Sequence, residues 1–549
     1  MRTPFLIGVI VTLLLIAVVA IFFPPVLWSL IVVGPIAIIG LYDYFQTRHA
    51  VLRNFPIIGH FRYMFEMIRP EMYQYFIESD TDGMPFNRIE RSVIYQRSKG
   101  TRDTIPFGTL RDVSAVGYEW VNHSMAPVHL EDSDLRVVVG GPDCTQPYSA
   151  SILNISAMSY GSLSKNAILA LSHGARMGNF AHNTGEGGIS PYHLEGGADL
   201  IWQIGTAYFG CRTEDGLFDP VKFGVQANLP NVKMIEIKLS QGAKPGHGGI
   251  LPAAKITEEI AQIRGVPLGK DVISPPGHSA FSTPIGLLEF VAQLRELSNG
   301  KPVGFKLSVG KRREFLAVCK AILQTGITPD FIVVDGGEGG TGAAPLEFAN
   351  HIGTPLIEGL IFVHNALVGI SVRDQVRVIA SGKVNSGFGM VKRLALGADM
   401  CSSARAMMMA MGCIQALKCN SNHCPVGITT QNPDLVAGLV PSDKKVRVMN
   451  FHRETVDSVQ EILGAMGKSH PRQLRPWHIT RRVSPNDIRH YGELYEFLND
   501  GDLLSEPYPI TYQRAMEASS AETFKRVGSL VDAKSVVADY DHPSRNYHS

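Results

Sequence analysis

From residue 150 onward one local pattern recurs: a short apolar run of β-prone residues ending at Gly, Ser or Asn, then a stretch with helical periodicity. Eight runs fit it, at 151–158, 180–183, 200–205, 234–239, 303–307, 331–335, 376–380 and 400–402. Stretches 165–176, 284–297 and 313–323 read as helices between them. A strand followed by a helix can only meet the next strand in parallel, and eight such units predict an α/β fold, the (β/α)8 TIM barrel. The expected barrel spans 151–440, longer than the usual size of about 250 residues. The surplus falls in 240–282, which is rich in Gly and Pro and reads as functional loops.

The rest of the chain adds a membrane end. Residues 5–23 are nineteen uncharged residues in a row, close to the roughly 20 that cross a bilayer as a helix. Pro24 and Pro25 break the run, and a second uncharged run covers 26–42. Arg2 precedes the pair, Arg48, Arg53 and Arg62 follow it, and no charge lies in the Pro-Pro turn. The positive-inside rule then predicts a transmembrane hairpin over 1–45 with the catalytic domain in the cytoplasm, in preference to a single re-entrant anchor. Residues 46–150 are expected to form a cap on the barrel, with 61–77 helical and 136–139 a strand. Residues 441–549 are expected to hold a helix at 446–466 and a partly extended tail. With 51 Lys and Arg against 50 Asp and Glu, the net charge of +1 offers no field for nucleic acid, which is excluded as a partner.

In such barrels the reaction occurs where the strands end, and phosphate is held by the loops after the seventh and eighth. Here those loops read Ser381-Gly382-Lys383-Val384-Asn385-Ser386-Gly387 and Ser402-Ser403-Ala404-Arg405, offering amides, hydroxyls and a cation. The loop after the sixth strand carries five glycines in seven residues from Gly336 to Gly342, so backbone can approach a flat ligand. Lys238 and Lys306 each interrupt an apolar strand, which is costly without a partner. Either could stabilise an anionic reduced flavin, or be paired structurally to a carboxylate such as Glu236 or Asp335.

Three of seven cysteines, Cys413, Cys419 and Cys424, crowd into twelve residues, with Pro425 following the last. Zinc usually takes four ligands in closer pairs; three thiolates at one corner suit an iron–sulfur cluster better, and unconnected buried thiols are the bland alternative.

Together these stretches resemble the central, FMN-binding domain of glutamate synthase over about 150–435. The resemblance rests on Met158-Ser159-Tyr160-Gly161-Ser162-Leu163-Ser164, Asn183-Thr184-Gly185-Glu186-Gly187-Gly188, Gln241-Gly242-Ala243-Lys244-Pro245-Gly246, Ser274-Pro275-Pro276, Gly339-Gly340-Thr341-Gly342-Ala343 and Cys424-Pro425-Val426-Gly427. It implies FMN and a three-iron four-sulfur (3Fe-4S) cluster ligated by Cys413, Cys419 and Cys424. It also implies reductive amination of 2-oxoglutarate with ammonia to L-glutamate. By the same resemblance Lys244 and Arg264 lie near the oxo acid and Glu186 handles a proton or ammonia. Lys238 and Lys306 lie near flavin and substrate; Met158, Ser159, Gly339, Gly340, Thr341, Gly342, Ser381, Gly382, Gly387, Ser403 and Arg405 line the cofactor.

One loop departs from the family pattern, which has Glu and Gln where this chain has His247 and Ile250. His247 could donate a proton, contact an anion or be a solvated loop residue, and the loss of the Gln opens the choice of substrate. Another oxo acid, an amine or a quinone is therefore a rival reading, and a catalytically silent membrane scaffold a third. No cysteine precedes Cys144, so the glutaminase nucleophile of full glutamate synthases is not expected and ammonia is taken up as such. The only GxGxxG-like run belongs to the barrel, so electrons are expected from an external donor such as ferredoxin or a reductase subunit.

Overall fold

The computed structural model describes residues 2–101, 104–130 and 135–528, and the part of the expected tail beyond 528 lies outside them. The chain forms two compact units, Met1–Arg88 and Ile89–Ser549.

In the first unit, α1 (Arg2–Phe22) and α2 (Leu30–Phe45) are joined by a 3-10 turn at Pro24–Ser29. Pro24 and Pro25 suit that turn because the first positions of a helix have no use for an amide donor. The two helices run antiparallel. The Arg2 guanidinium at the start of α1 donates to the Tyr44 carbonyl at the end of α2 at 3.3 Å and lies 4.3 Å from the Tyr44 ring centre. Gly40 is what permits the approach: a Cβ there would fall 2.0 Å from the Phe5 ring. The 21 residues of α1 and the 22 of Pro24–Phe45 are long and apolar enough to cross a membrane, by length and composition. A third helix, α3 (Gly59–Met72), continues into a π-helical turn at Tyr73–Ile77.

The second unit is built on a closed barrel. Its strands are β1 (Leu153–Ile155), β2 (His182–Asn183), β3 (Leu200–Ile204), β4 (Val232–Lys238), β5 (Val303–Ser308), β6 (Phe331–Asp335), β7 (Arg377–Ser381) and β8 (Met400–Ser403). They pair in sequence order, all parallel, and β8 closes on β1 through Cys401–Leu153, Ser402–Asn154 and Ser403–Ile155. Every strand falls within or beside an expected run, and the fold is the TIM barrel with surrounding helices. Its helices include α4 (Lys165–Met177), α5 (Pro284–Leu297), α6 (Arg312–Thr325), α7 (Leu356–Gly369) and α8 (Gly387–Ala395). The local sequence sets their starts: Thr283 caps α5 by accepting from Gly286 N at 3.0 Å with Pro284 in the first turn, and Ser386 caps α8 in the same way.

The lower end of the barrel is closed by polar clamps. Asp330, fully buried before β6, accepts from Arg295 at 3.0 Å, from Val303 N at 2.8 Å and from Gly141 N at 2.6 Å. The strand Arg136–Val139 pairs antiparallel with Tyr148–Ser151 beside it. Helix α9 (Pro441–Ala465) packs on α4 and α8: Gly174 of α4 faces Val448, and the His452 ring stacks on Phe180 at 3.9 Å between centres.

Candidate active site

The strand pairings carry the chemistry to the mouth. In the β4–β5 ladder Lys238 stands directly opposite Lys306, and in the next ladders Ser308 faces Asp335, which faces Ser381. Alternation along β4 points Glu236 and Lys238 to the same side two residues apart, about 7 Å along the strand. They therefore occupy different layers. Glu236 lies deeper and accepts from Asn183 Nδ2 at 3.1 Å and from Gln203 Nε2. Burial raises its carboxyl pKa against the pull of Lys306. Lys306, above it, pairs with Asp335 at 3.3 Å.

Lys238 finds a different partner, Glu186, at 2.7 Å. The acid comes from the loop after β2 and is wedged between glycines. A Cβ at Gly205 or Gly249 would meet its carboxylate at 2.5 or 2.4 Å. Burial opposes ionisation of Glu186, yet Lys238, Arg264 and Lys244 together hold its pKa below the ordinary value. Lys244 donates to the Ala343 carbonyl at 2.7 Å. Burial and the like charge of Lys238 press its pKa down to about 8. Arg264 is buried, its pKa lowered by burial to about 10, and donates to Tyr160 O at 2.9 Å and Ser159 Oγ at 3.3 Å. Glu186, Lys238, Lys244 and Arg264 thus form one cluster; Lys306 joins it through its ladder partner Lys238.

The Gly-rich loops also meet. At Gly242 a Cβ would sit 1.7 Å from Gly336 O, so the loops after β4 and β6 are in backbone contact, reinforced by Gly242 N donating to Asp335 at 3.0 Å. In the Gly339–Gly342 stretch, Arg405 lies across Gly340, whose Cβ would meet it at 2.7 Å, and donates to Glu338 O at 2.7 Å. Thr341 is exposed and accepts from Gln241 at 3.5 Å. Ser381 Oγ meets Ser156 Oγ at 3.1 Å, joining the ends of β7 and β1, and Ser403 Oγ donates to Val384 O at 2.7 Å. Met158 is buried directly before Ser159. Gly387, the first residue of α8, lies against Ser458 of α9, where a Cβ would be 2.5 Å from the hydroxyl. His247 contacts the Gly248 carbonyl at 2.8 Å and stands edge-on to Phe348. Ile250 opens a two-residue strand pairing with Val272–Ile273.

The cysteines lie on the loop after β8. Tyr95 donates to Cys413 O at 2.7 Å, and the buried ammonium of Lys255 donates to Cys419 O at 2.7 Å and to Ser162 O at 3.3 Å. Burial raises the Cys413 thiol to about 11. Cys424 goes the other way: burial opposes its thiolate, but the Thr429, Val426 and Ile428 backbone amides beside it lower its pKa. Among the described residues no group of three or more His, Cys, Asp or Glu is arranged to hold a single metal ion.

Sequence reasoning missed Lys255, Asn385 (which donates to Glu90 at 2.9 Å) and Arg393, whose guanidinium holds the Gly382 carbonyl at 2.8 Å. A lone Arg or Lys in a helix or loop carries no local signal of burial.

The profile of the conserved region in glutamate synthase matches residues 134–469, more than half of the chain. The chain belongs to the glutamate synthase family. It is 36% identical over 484 residues to the glutamate synthase large subunit-like protein YerD of Bacillus subtilis (strain 168), covering 81% of this chain and 92% of that one. It is 34% identical over 322 residues to the archaeal-type glutamate synthase [NADPH] of Thermotoga neapolitana, covering 58% of this chain and 60% of that one. A solved flavocytochrome b2 variant with pyruvate bound aligns with TM-score 0.39 and 13% identity, over 80% of this chain and 92% of that one. The chain spans about two thirds or less of the archaeal-type relatives and nearly all of the Bacillus one. The matched segment includes the whole barrel, the Glu186 cluster and the cysteine loop.

Proposed function

We propose that this chain is a membrane-anchored oxidoreductase that reductively aminates 2-oxoglutarate with ammonia to L-glutamate, using FMN and an iron–sulfur cluster charged by an external electron donor. The observation that carries the reading is the mouth cluster: three cations, Lys238, Lys244 and Arg264, around one ionised acid, Glu186. A dicarboxylate needs such an excess of positive charge, held in place before it arrives.

The residues present fit a flavin. The Gly339–Gly342 loop carries one side chain, Thr341, among three glycines, and Lys238 and Lys306 stand side by side on adjacent strands. Arg264 Nε and Ser308 Oγ are buried without a hydrogen-bond partner among the described residues, as expected of groups that complete their bonds to a ligand. Ser381, Gly382, Ser403 and Arg405 would hold the phosphate. Cys413, Cys419 and Cys424 fit a cluster by donor type, and the backbone amides beside Cys424 lower its pKa, which favours a thiolate. When bound, the flavin supplies hydride and the cluster single electrons.

The chain's own residues do the remainder. Lys244 and Arg264 clasp carboxylates and exclude water from the mouth. Glu186 Oε holds or passes the proton exchanged as ammonia adds to the oxo carbon and water leaves. Lys238 keeps Glu186 ionised. The two apolar helices α1 and α2 support anchoring to a membrane. His247 and Ile250, in the loop after β4, favour a second reading in which a different oxo acid is the substrate.

The test is anaerobic. The detergent-solubilised protein is photoreduced, ammonium and 2-oxoglutarate are added separately and together, and flavin absorbance is followed. Reoxidation that requires both and yields glutamate supports the main reading; reoxidation only with another oxo acid moves the assignment to the second.

A further inference from the structure

We propose that α3 is an interfacial helix that lies in the headgroup layer of the bilayer, its aromatic face turned toward the acyl chains; this rests on the membrane-anchored reading above. Three observations within the first unit carry it.

The first is pattern. Phe61, Met64, Phe65, Ile68 and Met72 fall at helical spacing on one arc of about 100°, while Arg62, Glu66 and Arg69 occupy the other side. The second is exposure. Residues 60–72 are exposed on every side, with Phe61 at 55% and Phe65 at 60%. An amphipathic helix is stabilised by what covers its apolar face, and within the described residues of the first unit nothing does.

The third fixes the depth. Asp43, two residues before the end of α2, is fully buried and accepts from His60 Nε2 at 2.9 Å and from Ile57 N at 3.0 Å. A carboxylate at the end of a spanning helix belongs at the edge of the hydrocarbon. His60 lies in the first turn of α3, so the pair ties the start of the amphipathic helix to that level. Aromatic and Met side chains with flanking Arg suit this layer, where rings bury their bodies and cations meet lipid phosphates.

The experiment uses the full chain reconstituted in vesicles of phosphatidylcholine and phosphatidylglycerol, with acyl chains either plain or brominated near the headgroup. Two variants place a reporter on opposite faces, F65W and R62W. Subtracting the wild-type emission removes the four native tryptophans. Brominated lipid is expected to roughly halve the added F65W emission and leave that of R62W unchanged, as for a helix half-sunk in the interface. An unquenched F65W reporter overturns the proposal and means that protein covers this face; equal quenching of both reporters overturns it by showing the whole helix immersed. Carbonate extraction of the same vesicles reads the anchor separately. Protein retained in the membrane with F65W unquenched refutes the interfacial helix alone, whereas protein released by carbonate refutes the anchor.

Discussion

At Glu186 three cations, led by Lys238, decide the protonation state of the acid. Burial alone would raise this carboxyl, and Lys238 is the first of the cations that reverse it. Glu186→Gln is expected to lower kcat by about 10²-fold with the flavin spectrum kept, measured by anaerobic reoxidation. Lys238→Met removes the main opposing charge, so the Glu186 pKa climbs and the acid limb of the pH–rate profile moves to higher pH. Lys244 sets the other limb. Its pKa of about 8 means the ammonium is lost as pH rises through that value. KM for the oxo acid is therefore expected to rise above about pH 8, and Lys244→Arg, whose guanidinium stays charged, should flatten that rise. At the cysteines, replacing Cys413, Cys419 or Cys424 singly by Ser is expected to abolish cluster absorbance. Intact iron and sulfide in all three variants would refute the ligand assignment.

At the scale of elements, two contacts between distant segments hold the frame. Gly242→Ala would place a methyl 1.7 Å from Gly336 O and force the loops after β4 and β6 apart. The expected result is loss of bound flavin, with a stability cost of about 1–3 kcal/mol for overpacking and an unchanged circular dichroism spectrum. Asp330 anchors α5, β5 and the segment before β1 at the lower end, far from the mouth. Asp330→Ala takes from buried Arg295 its nearer carboxylate, leaving Asp143 at 3.5 Å, strips the Val303 and Gly141 amides of their acceptor, and is expected to cost about 3 kcal/mol in denaturant unfolding. Turnover per folded molecule should not change, because no mouth residue contacts Asp330.

For the whole molecule, the two units divide the tasks. The first unit carries α1, α2 and α3; the second carries the barrel, the acid–cation cluster and the cysteine loop. If the hairpin anchors the enzyme, protein in native membranes should resist carbonate extraction, and Gly40→Leu, which drives a side chain into Phe5, should weaken that resistance.

Strand count, strand order and the limits of helices such as Pro284–Leu297 were legible because they are local: each needs only a run of apolar residues and its flanking breakers, as at Phe331–Asp335; Leu356–Gly369 and Gly387–Ala395 were not anticipated. The family too was legible, since its motifs are contiguous. Ion-pair partners were legible only in part. Lys306 meets Asp335, which the sequence offered as a partner, but Lys238 passes over Glu236 on its own strand for Glu186, 52 residues away. The reason is geometric: a strand separates residues two apart by about 7 Å, whereas barrel closure brings the loop after β2 across the mouth. The same closure buries Arg264, Lys255 and Arg393 against carbonyls of other loops. The sequence by itself determined the eight barrel strands and their order, because those follow from local pattern. Only the tertiary structure decided which charges face one another, because that depends on the closing of the barrel.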